Sequence, residues 1–123
     1  MTPELYESEQ LTELIIQGME DTKAKKIVIL DLQDIDSAVT NYFVICHGNS
    51  KPQLEAIADS VIAKTVKGLK AKPWHKEGFE NAEWILLDYV DVVVHIFRED
   101  RREFYQLEKL WADAPITRHD YKE

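Results

Sequence analysis

Cysteine is all but missing from this chain. Cys46 stands alone among 123 residues, inside an apolar run, so a disulfide framework is ruled out and a reducing cytoplasm is the expected setting. No apolar stretch approaches the roughly 20 residues that span a bilayer. Glycine and proline number only four each, and neither repeats nor low-complexity segments appear. The opening MTPELYESEQ is acidic, which speaks against a secretory signal and an Arg-rich transit peptide. Basic residues are also in deficit: 15 Lys and Arg face 23 Asp and Glu, a net charge of −8. Nucleic-acid binding depends on cations neutralising phosphates, so little direct contact with RNA or DNA is expected. The acidity either serves solubility or steers the chain onto a basic protein partner over about a Debye length.

What is present fits one globular domain over residues 1–123. The length suffices for a single core, and 45% apolar with 31% charged residues is ordinary for a folded chain. Ser8 is a good N-cap for a first helix, whose stripe is Leu11, Leu14, Ile15, Gly18 and Met19. KKIVILDLQ reads as a strand, DIDSAVTN as a polar connection and YFVICH from Tyr42 as a second strand. Ser50 caps a second helix with Gln53 as the reciprocal half of a capping box, and Gly68 marks its end. A short strand over 71–75 contains Pro73, which suits a sheet edge.

After the loop KEGFENA, the runs EWILLDY and DVVVHIF read as adjacent antiparallel strands meeting at a tight acidic corner. A last helix begins near Glu99 with Phe104, Leu107 and Trp111 on one side, and Pro115 forbids its continuation. The order is α-β-β-α-β-β-β-α: an α/β domain with a mixed sheet of about five strands flanked by helices. Its core spans about 8–112, and 113–123 reads as a flexible tail.

Catalytic constellations are missing too. Strand, Gly-Asn-Ser, then helix is the local shape of an anion site, and nucleotidyltransferases use a similar turn before a metal-binding acid pair. Their chemistry needs carboxylates two apart on one strand face. Asp88 and Asp91 are three apart, and Asp34 and Asp36 lie in a connection, so a plain helix cap is expected. Cys46 and His47 are strand neighbours that point apart, which disfavours a nucleophile pair. His95 shares a face with Val93 and Phe97, and a satisfied, buried imidazole is expected. His75 and His119 lack partners at metal-binding spacing. No cofactor, metal or catalytic residue is assigned.

The corner is the candidate site. Trp84 shares a strand face with Leu86 and Asp88, and a structural tryptophan is the default. Its company favours a presented surface: Glu77 and Gly78 in the preceding loop, Tyr89 and Asp91 at the corner. An aromatic ringed by acids suits docking on a basic protein.

The segments NYFVICHGNS at 41–50, EAIAD at 55–59, KEG at 76–78, WILLDYVDVVVHIF at 84–97 and REFYQLEKLW at 102–111 carry a resemblance over nearly the whole length. The chain resembles the ribosomal silencing factor (Iojap-like) family, whose fold is similar to the nucleotidyltransferase sheet without its catalytic acids. The chain departs from the family pattern in three places: Asn41 replaces Asp, His47 replaces Thr or a small residue, and Val90 replaces Gly. A β-branched residue resists the positive φ that glycine supplies, so another turn type is expected at the corner.

The resemblance implies a non-enzymatic translation repressor. It would bind ribosomal protein fourteen of the large subunit and block joining of the small one when nutrients run short. Trp84 and Tyr89 would be anchors, with Glu77, Asp88 and Asp91 as acidic complements. A homodimer off the ribosome is also implied. The alternatives are a large-subunit assembly factor, or a divergent nucleotidyltransferase using Gly48 and Ser50.

Overall fold

The computed structural model describes residues 8–105 and 107–119. Helix α1 (Ser8–Asp21) is followed by β1 (Lys25–Asp31), β2 (Tyr42–Gly48), α2 (Lys51–Leu69), β3 (His75–Glu77), β4 (Trp84–Asp88) and β5 (Val92–Arg98). The chain then forms α3 (Glu99–Tyr105), α4 (Leu107–Leu110) and β6 (Ile116–His119). The strands make one mixed sheet in the order β3-β4-β5-β2-β1-β6, parallel between β2 and β5 and antiparallel elsewhere. Among the described residues, no helix is long and apolar enough to cross a membrane.

Period-two alternation decides which side chains meet the helices. Tyr42, Val44 and Cys46 of β2, Ile85 and Leu87 of β4, and Val92, Val94 and Ile96 of β5 form one core with α1 and α2. The intervening residues form a thinner second core on the opposite face: Ile45 and Phe97 are buried there, with Phe43, Trp84 and Trp111 packed against them. Among the described residues no long helix covers the second face, and that leaves part of it open.

The two main helices pack closely because Gly18 has no side chain. A Cβ there would sit 2.7 Å from the Val61 Cα, so any substitution must push α1 off α2. At the start of α2, Ser50 is the N-cap and its Oγ accepts from Gln53 N at 3.3 Å. Gln53 Oε1 returns the contact one residue earlier than expected, accepting from Asn49 N at 2.7 Å.

Four expectations need correction. Gly68 does not end α2; it lies inside the helix and makes room for Leu14, whose Cδ1 would be 2.7 Å from an added Cβ. The helix ends at Lys70, which takes the left-handed conformation at φ 55° and donates its N–H back to Val66 O. The third strand runs over His75–Glu77 rather than 71–75, so Glu77 is a strand residue and not a loop residue. The segment read as a frayed tail contributes the sixth strand: Ile116–His119 pairs with β1, and Asp31 N donates to Pro115 O at 3.0 Å. A four-residue edge strand whose Ile116, Thr117 and Arg118 are all exposed carries no alternation to reveal it. The last helix is two short pieces, and its Phe104 and Leu107 side chains lie outside the described residues.

Candidate functional site

Two strands and a two-residue turn build the β4–β5 corner. Tyr89 N donates to Val92 O at 2.8 Å, closing the hairpin, and Asp91 N reaches back to Tyr89 O at 3.0 Å. Val90 stands between them at φ 77°. The expectation of a different turn type is therefore wrong: the valine itself adopts the positive φ. The Asp88 carboxylate supports the turn, with its Oδ1 accepting from Val90 N at 2.7 Å. A left-handed residue with a Cβ costs about 1–2 kcal/mol, so this corner holds strain. Val90 is nonetheless 55% exposed, an apolar side chain presented to solvent.

The sequence-derived site residues do not share one surface. Tyr89 is only 6% exposed and is corrected from anchor to core. It continues the inward alternation of Ile85 and Leu87, and its hydroxyl lies 2.9 Å from Thr65 Oγ1. Thr65 in turn donates to Ala71 O at 2.8 Å, so the tyrosine ties the end of α2 to the corner. Trp84 is half-buried on the other face, stacked on Phe97 with ring centroids 5.2 Å apart. Its Nε1 donates to His95 Nδ1 at 3.0 Å.

Asp88 is half-buried on the same face as Trp84, and Asp91 is exposed at the turn. The Asp91 carbonyl accepts from Asn41 N at 2.8 Å, which fixes the corner to the start of β2. Glu77 is exposed on β3, its Oε2 2.8 Å from His75 Nε2. Gly78 is structural: at φ 91°, a Cβ would fall 2.0 Å from the Trp84 carbonyl oxygen. No other residue fits there.

An open groove of about 430 Å³ lies beside this corner on the thinly covered face. Phe43, Val93 and Trp111 contribute apolar walls, and Asp88 and Val90 bring in the corner. Trp74 and Val39 complete the rim, 81% and 97% exposed. Neither was singled out in the sequence. A tryptophan inside the polar stretch KPWHKE, away from any apolar periodicity, was the signal available for Trp74.

Cys46 and His47 do not form a nucleophile pair. Burial pushes the Cys46 thiol up to about 12, with Arg102 opposing weakly, so it stays protonated. Its neighbour His47 faces the other way and meets Arg102 Nη1 at 3.0 Å through Nδ1. Burial pushes His95 down to about 3. Because Nδ1 accepts from Trp84, the neutral ring carries its proton on Nε2, which is buried without a hydrogen-bond partner. The expectation of a satisfied imidazole therefore holds for one nitrogen only. Ser50 and Gln53 occupy the start of α2 with their own side chains. Among the described residues, no three His, Cys, Asp or Glu gather as metal ligands.

The family model described as "Ribosomal silencing factor during starvation" matches residues 6–123. The chain belongs to the ribosomal silencing factor family. It is 46% identical over 103 residues to the Bacillus subtilis protein named ribosomal silencing factor RsfS, covering 83% of this chain and 85% of that one. The Halalkalibacterium halodurans protein of the same name is 43% identical over 112 residues, covering 89% and 92%. A crystal structure of a protein from Chromobacterium violaceum superposes with a TM-score of 0.81 at 31% identity, covering 96% of this chain and 91% of that one. The family thus shares this sheet and helix layer.

Proposed function

We propose that this chain is a translation repressor that works by occupancy, without turnover. It seats on the large ribosomal subunit in the cytoplasm through ribosomal protein fourteen. There it excludes the small subunit and lowers translation when nutrients run short. The observation that carries this reading is the β4–β5 corner, where an open apolar groove meets the Asp88 carboxylate on an acidic member of this family. A chain of net charge −8 is repelled as a whole by ribosomal RNA and is attracted by a basic ribosomal protein.

In this reading Trp84, on the same sheet face as Asp88 but at the far end of β4, supplies aromatic area, and Asp88, Asp91 and Glu77 supply charge. Tyr89 holds the corner from inside, Gly78 lets the chain pass close to the start of β4, and neither touches a partner. Val90 adds exposed apolar rim. A homodimer off the ribosome would use the same face, so dimer and ribosome compete for it.

Co-sedimentation with purified large subunits tests the site. Trp84→Ala weakens binding by about 2 kcal/mol if the ring is a hot spot. High salt weakens it further where acidic rim pairs contribute. Undiminished binding by a variant combining Trp84→Ala, Asp88→Asn and Asp91→Asn removes the site assignment. Normal binding without any block on subunit joining would instead mark an assembly factor.

A further inference from the structure

The acidity of this chain has one local reversal. Residues 60–76 contain five of its fifteen basic residues and none of its 23 acidic ones. Lys64 is paired with Asp21 at 3.0 Å. Lys67, Lys70 and Lys72 are exposed and form no ion pair among the described residues, and Lys76 lies on β3 with its ammonium 5.5 Å from the centre of the Phe79 ring. Lysines near a helix C-terminus also complement the helix dipole, which accounts for Lys67 and Lys70. It does not account for Lys72 and Lys76 beyond the helix, nor for Trp74 standing 81% exposed between them.

The segment is held rather than loose. Ala71 N donates to Thr65 O at 3.1 Å, and Trp74 N donates to Asp88 O at 2.7 Å. The backbone between α2 and β3 is thus pinned at one end to the helix and at the other to the corner. Trp74 therefore sits beside the surface proposed to meet a ribosomal protein, and the lysines lead up to it from the end of α2.

We propose that this shelf contacts ribosomal RNA, with Lys67, Lys70 and Lys72 on backbone phosphates and Trp74 against an unpaired base. Exposed ammonium groups suit the phosphate backbone, and an exposed aromatic following them in the chain suits base stacking. An acidic protein segment would use the lysines but would leave the tryptophan ring without a flat partner. The inference rests on the ribosome-docking reading and divides its surface in two: acids for the basic protein, lysines for the adjoining RNA.

The test uses the full chain with Lys67, Lys70 and Lys72 all replaced by Gln at exposed positions, with circular dichroism and Tm confirming that the variant is folded. Binding is measured to purified large subunits and, separately, to isolated ribosomal protein fourteen. For the large subunit, the triple variant should bind 10-fold to 100-fold more weakly near 0.1 M salt. The slope of log K against log salt should flatten by about two to three, close to one per lost phosphate contact. Binding to the isolated protein should not fall.

Equal binding of variant and parent to large subunits overturns the inference while leaving the docking reading intact. Failure of the parent to bind either target overturns both. A photoreactive residue in place of Lys70 provides a second readout on purified large subunits. Adducts to ribosomal RNA support the shelf, and adducts to ribosomal proteins alone overturn it.

Discussion

Val90 offers a direct measure of the strain stored at the corner. At φ 77° its backbone sits where a Cβ is unfavourable, and the side chain is 55% exposed. Replacing it by glycine relieves the backbone but also removes the apolar contacts that the valine makes. Val90→Ala removes nearly the same contacts and keeps the backbone penalty, so the comparison of the two variants isolates the strain. The left-handed penalty of about 1–2 kcal/mol is offset in part by the entropy that glycine loses on folding, roughly 0.5–1 kcal/mol. Val90→Gly should therefore be more stable than Val90→Ala by about 1 kcal/mol. For a domain of this size that corresponds to roughly 3–5 °C in Tm. Urea denaturation with paired thermal scans reads it. Equal stability of the two variants, or a more stable alanine, would show that the corner is not strained.

Three further outcomes follow from the same geometry. Tyr89→Phe should cost about 1–2 kcal/mol in urea unfolding, because the Thr65 hydroxyl loses a buried partner, and ribosome binding should be unchanged. Gly78→Ala should reduce the yield of folded protein or lower its Tm sharply, since its Cβ collides with the Trp84 carbonyl. Stability should also fall in acid through His95, which stays neutral when folded down to a pKa of about 3 and protonates near 6.5 when unfolded. Its contribution is complete above 6.5 and is lost as pH falls toward 3, about 2 kcal/mol by pH 5. His95→Gln should flatten that part of the stability–pH curve, and an unchanged slope would reject the assignment.

Much of the fold was legible because alternation and capping are local signals. The runs around Trp84–Asp88 and Val92–Arg98 declared themselves by composition, and Ser50 with Gln53 marked the start of α2. The sixth strand was hidden because Ile116–His119 is short and stabilised by pairing with a distant β1. Gly68 misled because its role is contact with α1, a tertiary requirement, while the helix end fell to a lysine.

At the site, the face assigned to Trp84 and Asp88 followed from period two. The same rule applied one residue further would have sent Tyr89 inward with Ile85 and Leu87. Val90 was read as excluding a positive φ, whereas the Asp88 side chain and the hairpin closure impose one. The groove depends on residues from four separate segments, which no local pattern could bring together.

Light scattering of purified small and large ribosomal subunits, mixed while saturated with this protein, tests most directly whether it acts by standing in the way. The signal from joined ribosomes should fall as protein is added, and should recover when Trp84→Ala replaces the parent chain. Subunits that pair to the same extent with and without saturating protein would contradict it.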